Sequence, residues 1–479
     1  MLGEDLPDLC MASVAGLTAA FRSGALSPVD AARAALARSE AINPDLNAFT
    51  LLDHEGAQTA AEASARRWRE GTALSPIDGV PTTVKDIVRC GLDIRYGSRA
   101  TDDVSDQGDA PAVKRLRAAG AVIIGVTTSP EFGWKAVTDS PAFGITRNPW
   151  NPDMTPGGSS GGAAVAAACG AGVLHIGTDG GGSIRIPAAF TGTVGHKPTY
   201  GTVPAWPASA FGTVAHLGPM ARSVADTAAM LNVMAGCDNQ DWAQGWRAHG
   251  PVAPSPTDFR GVRIGYWKTA PGATTDPEIT ARIEACLADL DAAGAIIEPV
   301  DLPMQDAVPE IFDRFWLVGA ATRLAAIAPD RHADMDPGFI AAADAGARYT
   351  AVERAQAEND RAEYGAAMDM LLDRLDLLMS PSVAIAPFTV GRSVPEGTDW
   401  TRWTEWAGFS YPLNLSQQPA CSVPCGTTSN GLPIGLQIIG ARGADQSVLS
   451  AALEIEAMYP NQFLLSGRSL PDALRRYQK

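Results

Sequence analysis

The chain has 479 residues, of which 46% are hydrophobic and 19% charged, a composition typical of a globular protein with a substantial core and not of a disordered one. Its formal net charge is −16, and no run of Lys or Arg provides the basic surface that nucleic-acid binding needs. No segment reaches the length of about 18 apolar residues that marks a membrane-spanning helix.

The start of the chain and its cysteines indicate a compartment. The segment MLGEDLPDLCMASVAGL is acidic and lacks the basic start and apolar run of a signal peptide. The seven cysteines are odd in number and widely scattered, which is typical of free thiols in a reducing environment. We therefore expect a cytoplasmic protein, monomeric or homodimeric, that binds neither nucleic acid nor membrane.

Helix and strand patterns alternate along the chain. The first half predicts helices over 27–68, a β-rich segment at 79–87, a helix at 111–120, a strand at 121–127, a small-residue helix at 163–172 and a strand at 173–179. The second half predicts strands at 262–267, 295–300 and 377–384, a helix at 276–294, a mainly helical region at 305–375 and a loop at 385–405. This alternation favours a layered α/β fold with much parallel pairing, in one domain with a helical insertion.

Little in the sequence indicates a metal site or a phosphate-binding loop. The six histidines include no two within five residues of each other, and Cys421 and Cys425 alone do not make a zinc site. Neither glycine-rich stretch continues into a P-loop or opens a dinucleotide-binding unit. We expect no metal and no cofactor.

Two glycine-rich stretches carry serines. In TPGGSSGGAAV (155–165), Ser160 formally fits the G-x-S-x-G nucleophile elbow, but no later histidine in a suitable context follows, so the match is attributed to glycine abundance. In GTDGGGSIR (177–185), three glycines precede Ser183. They form either a tight turn or a set of bare N–H groups that approach a reacting atom closely.

A serine nucleophile needs a base, and a buried neutral lysine can serve as one. Lys85 lies in the mostly apolar run GVPTTVKDIV, where a solvated lysine is not expected. The alternative is that Lys85 pairs with Asp86 or extends to solvent from a strand end.

Three stretches occur in order along the chain: GVPTTVKD (79–86), PGGSSGG (156–162) and GTDGGGSIRIPAAFTGTVGHKPTYG (177–201). Together they closely resemble the amidase signature family of serine hydrolases. The likeness is clearest over 77–231 and 411–456. It implies one amidase domain over 1–479, with a large mixed central β-sheet flanked by helices on both faces and a less similar helical insertion at about 305–375.

The resemblance implies a Ser–Ser–Lys triad. Ser183 would be the acylated nucleophile, Ser159 the bridging serine after a cis peptide bond, and Lys85 the terminal base, neutral at rest. The backbone N–H groups of Gly180, Gly181, Gly182 and Ser183 would form the oxyanion hole. Gly133, Trp134 and Ser159 would contact substrate.

Further side chains are open to two interpretations. Asp179 and Arg185 flank the glycine loop and are expected to pair with each other more than with substrate. The loop aromatics either line a cleft or pack in the core; they are Trp206, Phe211, Trp403 and Trp406.

The resemblance favours a free-standing amidohydrolase that cleaves C–N bonds in small hydrophobic amides, either aryl and alkyl amides or carbamates such as urethanes. The alternative is the catalytic component of a glutamine-dependent amidotransferase, its A subunit, which acts in a complex. The acid that such components carry in the stretch aligned near 406–408 is missing here, which argues against glutamine. A third possibility, a binding protein that keeps only the fold, is disfavoured because Lys85, Ser159 and Ser183 are all present.

Overall fold

The computed structural model describes residues 9–102, 108–244 and 250–460; the acidic start of the chain at 1–8 lies outside them. Its α-helices are α1 (Val14–Ser23), α2 (Pro28–Leu46), α3 (His54–Glu70), α4 (Pro111–Ala118), α5 (Gly161–Cys169), α6 (Arg185–Thr191), α7 (Val224–Met234), α8 (Pro277–Ala292), α9 (Val308–Leu324), α10 (Pro337–Gly346), α11 (Ala351–Leu372), α12 (Pro412–Ser416) and α13 (Asp445–Met458). None of the described helices is long and apolar enough to cross a bilayer.

The strands are β1 (Phe49–Leu52), β2 (Pro81–Lys85), β3 (Val122–Thr127), β4 (Asp139–Ser140), β5 (Gly144–Ile145), β6 (Leu174–Asp179), β7 (Val194–Lys197), β8 (His216–Ala221), β9 (Arg263–Tyr266), β10 (Ile296–Pro299), β11 (Leu377–Pro381), β12 (Ala420–Thr427) and β13 (Pro433–Ile439). Eleven of them form one sheet in the order β1-β3-β2-β6-β8-β7-β12-β13-β11-β9-β10. Pairing is parallel at β3-β2-β6 and at β11-β9-β10 and antiparallel elsewhere in this sheet. The prediction of a large mixed sheet is thus confirmed.

Helix ends follow the sequence signals. Ser27 caps α2 through a capping box with Asp30, and Pro28 occupies the first helical position. The helices predicted over 27–68 are α2 and α3, and the strand β1 between them was not predicted. Its apolar and β-branched residues FTLL pair with β3 at the sheet edge, and this pairing overrides the helical pattern around it.

Helices cover both faces of the sheet. On β6, Leu174 and Ile176 belong to a core that also holds residues of α7, α8 and α13. Gly177, the next residue along the strand, faces the other side, where a Cβ on it would lie 2.9 Å from Ile184, just before α6. A second core joins α6 to the helical region α9–α11. The single domain over 1–479 remains a prediction, while residues from 77–231, from 263–381 and from 411–456 all contribute strands to the one sheet.

This arrangement creates the site. Because β2 and β6 are parallel neighbours, their carboxyl ends meet at one edge of the sheet. Lys85 ends β2, and the glycine loop follows β6. The serine-rich turn before α5 lies against the same edge, so three segments that are distant in sequence converge there.

Candidate active site

The Lys85 side chain is fully buried and surrounded by hydroxyl groups. Its Nζ lies 2.7 Å from Ser159 Oγ, 2.9 Å from Ser160 Oγ and 2.7 Å from Thr178 Oγ1. Burial lowers the pKa of Lys85 well below its usual value, against the opposing attraction of Asp179 and Asp86. The Asp86 carboxylate accepts the backbone N–H groups of Arg95 and Gly97.

The surrounding hydrogen bonds suit a neutral amine. Ser160 Oγ donates its proton to the Thr178 carbonyl at 3.1 Å, so it can only accept from Lys85. A neutral amine has two N–H groups and one lone pair. If the amine is neutral and donates to Ser160 and Thr178, its lone pair is left to accept the O–H of Ser159, as a base must.

The turn before Ser159 brings it close to Ser183. Gly157 and Gly158 both have left-handed backbone conformations, with φ of +70° and +60°. A Cβ on Gly158 would lie 2.4 Å from Pro187 Cδ, so only glycine fits. The Ser159 N–H then donates to Ser183 Oγ at 2.9 Å.

The cis peptide bond expected before Ser159 is not found, and that expectation is wrong for this structure. Among the described residues, the cis bond joins Trp206 and Pro207. The two left-handed glycines, Gly157 and Gly158, turn the chain ahead of Ser159 instead.

The Asp179 carboxylate holds the glycine loop in place through hydrogen bonds to its backbone. Its carboxylate accepts the N–H of Gly182 at 2.8 Å and of Ile184 at 3.2 Å. The N–H of Gly182 is therefore already engaged, and the prediction that it belongs to the oxyanion hole is wrong for this structure. The N–H groups of Gly180, Gly181 and Ser183 donate to no acceptor in the described part of the chain, so they remain the candidate donors to a substrate oxyanion.

Asp179 and Arg185 pair with each other, which confirms the structural interpretation of these flanking charges. The guanidinium makes two hydrogen bonds to the carboxylate, at 2.9 and 2.8 Å, and both side chains are fully buried. Asn414 donates to the same carboxylate at 2.8 Å. Burial raises the pKa of Asp179, but the Arg185 charge outweighs it, and the pKa lies below its usual range.

Two tryptophans cover the glycine loop: Trp316, which the sequence analysis did not name, and Trp403, one of the loop aromatics open to two interpretations. A Cβ on Gly180 would lie 2.9 Å from the Trp316 ring, and one on Gly181 would lie 2.6 Å from the Trp403 ring. The three glycines thus have two effects. They leave the loop backbone conformationally free, and they let the two aromatic rings pack directly against it. Trp316 belongs to α9, in the region of faint resemblance, where no local motif marks it.

A cavity of about 460 Å³ opens beside Ser159 and Thr178. Gly133 lines it, and a Cβ at that position would lie 3.5 Å from Ser159 Oγ; its contact with substrate remains a prediction. Trp206 and Phe211 line the cavity, as one of their two interpretations held.

Three other predicted aromatics do not line this cavity. The Trp134 indole turns away and donates to Asp336 Oδ2 at 3.3 Å, which corrects its prediction as a substrate contact. Phe132 and Gly133, just before it, both have left-handed backbone conformations. Trp406 is fully buried and stacks on Phe190. The Trp403 ring packs against Gly181 of the glycine loop.

No group of three or more His, Cys, Asp or Glu side chains that could hold a metal ion occurs in the described ranges. None of the seven cysteines, all of which lie in the described ranges, forms a disulfide, and Cys421 and Cys425 are buried in the core. Of the six histidines, His249 lies outside the described residues.

Comparison with known proteins decides the family. The sequence model of one family, Amidase, matches residues 30–449. The chain belongs to the amidase family. An acylamidase of Rhodococcus erythropolis is 34% identical to this amidase over 456 residues, which cover 94% of this chain and 95% of the relative. The A subunit of the glutamyl-tRNA(Gln) amidotransferase of Symbiobacterium thermophilum is 34% identical over 478 residues, covering 92% and 96%.

Among solved structures, a bacterial aryl acylamidase of the amidase signature family is 30% identical to this amidase. The two superpose with a TM-score of 0.87 over 96% of this chain and 99% of the other. The fold and the family together identify an enzyme that hydrolyses C–N bonds of amides.

Proposed function

We propose that this amidase hydrolyses small, largely hydrophobic amides, either aryl and alkyl amides or carbamates, through an acyl-enzyme on Ser183. The observation that carries the proposal is the buried Lys85 amine, which lies 2.7 Å from Ser159 Oγ, while the Ser159 N–H is hydrogen-bonded to Ser183 Oγ. Lys85 is then the base, Ser159 the bridge and Ser183 the nucleophile.

The proposed reaction uses the Ser159 hydroxyl as the link between Lys85 and Ser183. Ser159 gives its proton to Lys85 Nζ and takes the hydroxyl proton of Ser183, whose Oγ bonds to the substrate carbonyl carbon. The electron pair of the carbonyl π bond moves to oxygen, where the N–H groups of Gly180, Gly181 and Ser183 stabilise the charge. Collapse of this intermediate breaks the C–N bond, and the proton held by Lys85 returns through Ser159 to the departing nitrogen. Water then attacks the acyl-enzyme by the same relay, and no cofactor takes part.

The cavity supports an apolar substrate body. Its walls include five aromatic rings: Tyr96, Phe132, Trp206, Phe211 and Trp316. Such a surface favours aryl and alkyl groups through burial of apolar area.

The alternative, the A subunit of an amidotransferase, rests on the relatives that bear that name at similar identity. Glutamine carries an α-ammonium group that needs a carboxylate partner. The described lining of the cavity offers no Asp or Glu for it, so we favour a free-standing hydrolase. We further propose a cytoplasmic monomer or homodimer.

A substrate panel tests the proposal. Amine release from 4-nitroanilides, an aryl carbamate, a short aliphatic amide and glutamine is compared between wild type and Ser183→Ala. We expect turnover of anilides or carbamates by wild type alone, with the variant melting at the wild-type temperature. Activity retained in Ser183→Ala would refute the nucleophile, and turnover of glutamine alone would favour the amidotransferase.

A further inference from the structure

Two arginines line the same cavity, and each contacts its aromatic walls. The Arg89 guanidinium lies 5.0 Å from the ring centre of Trp206. The Arg323 guanidinium lies 4.5 Å from the ring centre of Phe132 and 5.0 Å from that of Tyr96. Arg89 follows β2 four residues after Lys85, and Arg323 lies in the last turn of α9. Segments far apart in sequence thus place two cations in one cavity.

Neither cation is neutralised by the described part of the protein. No hydrogen bond or ion pair joins the guanidinium of Arg89 or Arg323 to a described residue, and Arg89 Nε is buried without a partner. The lining of the cavity contains no Asp or Glu, although acidic residues outnumber basic ones in the chain by 53 to 37. Burial lowers the pKa of Arg323; Tyr96 opposes this shift, and the nearby charge of Arg89 adds to it. The cavity is therefore locally positive in a negatively charged protein.

Cation–π contacts hold a guanidinium in place but leave its N–H donors without acceptors. A half-buried cation without a counter-ion is unfavourable, and a carboxylate is the ligand that matches the planar guanidinium fork in charge and geometry. A carboxylate bound in this cavity would provide acceptors for the unpaired guanidinium donors and reduce the repulsion between the two cations.

We propose that Arg89 and Arg323 bind a carboxylate group of the substrate, set apart from the scissile bond. The preferred substrates are then amides with an apolar body and one anionic end. This inference rests on the proposed function, since it names the substrate class of the same site.

Matched substrate pairs test the proposal on both sides of the scissile bond. On the acyl side, glutaryl 4-nitroanilide is compared with 5-oxohexanoyl 4-nitroanilide, in which a methyl ketone replaces the carboxylate. On the amine side, N-butanoyl-4-aminobenzoate is compared with N-butanoyl-4-aminoacetophenone. We expect wild type to prefer the acid of at least one pair by about tenfold in kcat/KM, because charged hydrogen bonds are lost with the ketone.

The variants Arg89→Gln and Arg323→Gln should each raise KM for the preferred acid about tenfold and leave the matching ketone within about twofold. Arg323→Lys should retain part of the preference, because it keeps the charge but not the fork. Arg331→Gln is the control, since Arg331 does not line the cavity and pairs with Asp102 at 3.6 Å.

The two proposals can fail separately. Turnover of the ketones by wild type and not by Ser183→Ala supports the seryl hydrolase whatever the arginines do. If the acid is preferred neither in turnover nor in calorimetric binding to Ser183→Ala, the carboxylate site is refuted. It is equally refuted if the arginine variants lose activity on acid and ketone alike, because that outcome indicates only structural stacking on the rings.

Discussion

Replacing Lys85 with methionine tests whether the buried amine is neutral in the folded protein. An unfolded lysine has a pKa of about 10.4, whereas burial lowers the pKa of Lys85 well below its usual value. Between these two pKa values the unfolded chain binds one proton that the folded chain does not. The free energy of unfolding of wild type therefore gains about 1.4 kcal/mol per pH unit from this residue as pH rises. Methionine has a similar length and no such contribution.

The measurement is urea unfolding of wild type and Lys85→Met at pH 7, 8 and 9. At every pH above the folded pKa of Lys85, the stability of the variant relative to wild type should decline by about 1.4 kcal/mol per pH unit. The substitution also removes a hydrogen-bond partner from three hydroxyl groups. That loss changes the free energy of unfolding equally at every pH and does not change its slope against pH. Lys268→Met, at an exposed lysine, controls for the loss of a side chain. Parallel curves for wild type and Lys85→Met would refute a neutral lysine and, with it, the lysine base.

Asp179→Asn should lower the free energy of unfolding by about 3–5 kcal/mol, because it leaves the buried Arg185 without a counter-ion; urea unfolding that shows no loss would contradict this. Gly181→Ala should lower kcat on a 4-nitroanilide at least about tenfold, since its Cβ would lie 2.6 Å from the Trp403 ring; unchanged kinetics would contradict the tight aromatic cover. Burial raises the pKa of Glu456 to about 7, so the folded state holds a proton that the unfolded state has released. Wild-type stability should therefore fall from pH 5 to 7, and melting of Glu456→Gln should lack that component.

The sequence identified the candidate residues of the chemical centre because their signals are encoded locally. A lysine in an apolar strand, and glycines that only a turn or a close approach requires, are signals within one short segment. Parallel pairing of β2 and β6 then brings Lys85 beside Thr178. The roles of Ser159 and Ser183 came from resemblance, since no spacing in a sequence states which serine faces which.

The errors at the site have identifiable physical causes. An aspartate three residues before Gly182 can accept its N–H, as Asp179 does, so that competing bond was readable from the sequence. The direction of Trp134 was not, and the left-handed backbone of Phe132 near it is a conformation that no residue type there requires. β1 was missed because its four residues form a strand only through pairing with β3.

The substrate cavity was the least predictable part, since its walls come from segments without a shared motif. The residues proposed for bond cleavage lie on β2, the turn before α5 and the loop after β6, where buried hydrogen bonds fix them. The cavity walls come instead from residues 205–217 and from α9, and Trp316 of α9 touches both the Gly180 backbone and Phe211, 4.0 Å from its ring centre. Changes in α9 that preserve Trp316 can therefore alter which amide binds without disturbing the base. Arg323 lies two helical turns beyond Trp316. A substitution there should therefore affect substrate binding and leave the base undisturbed.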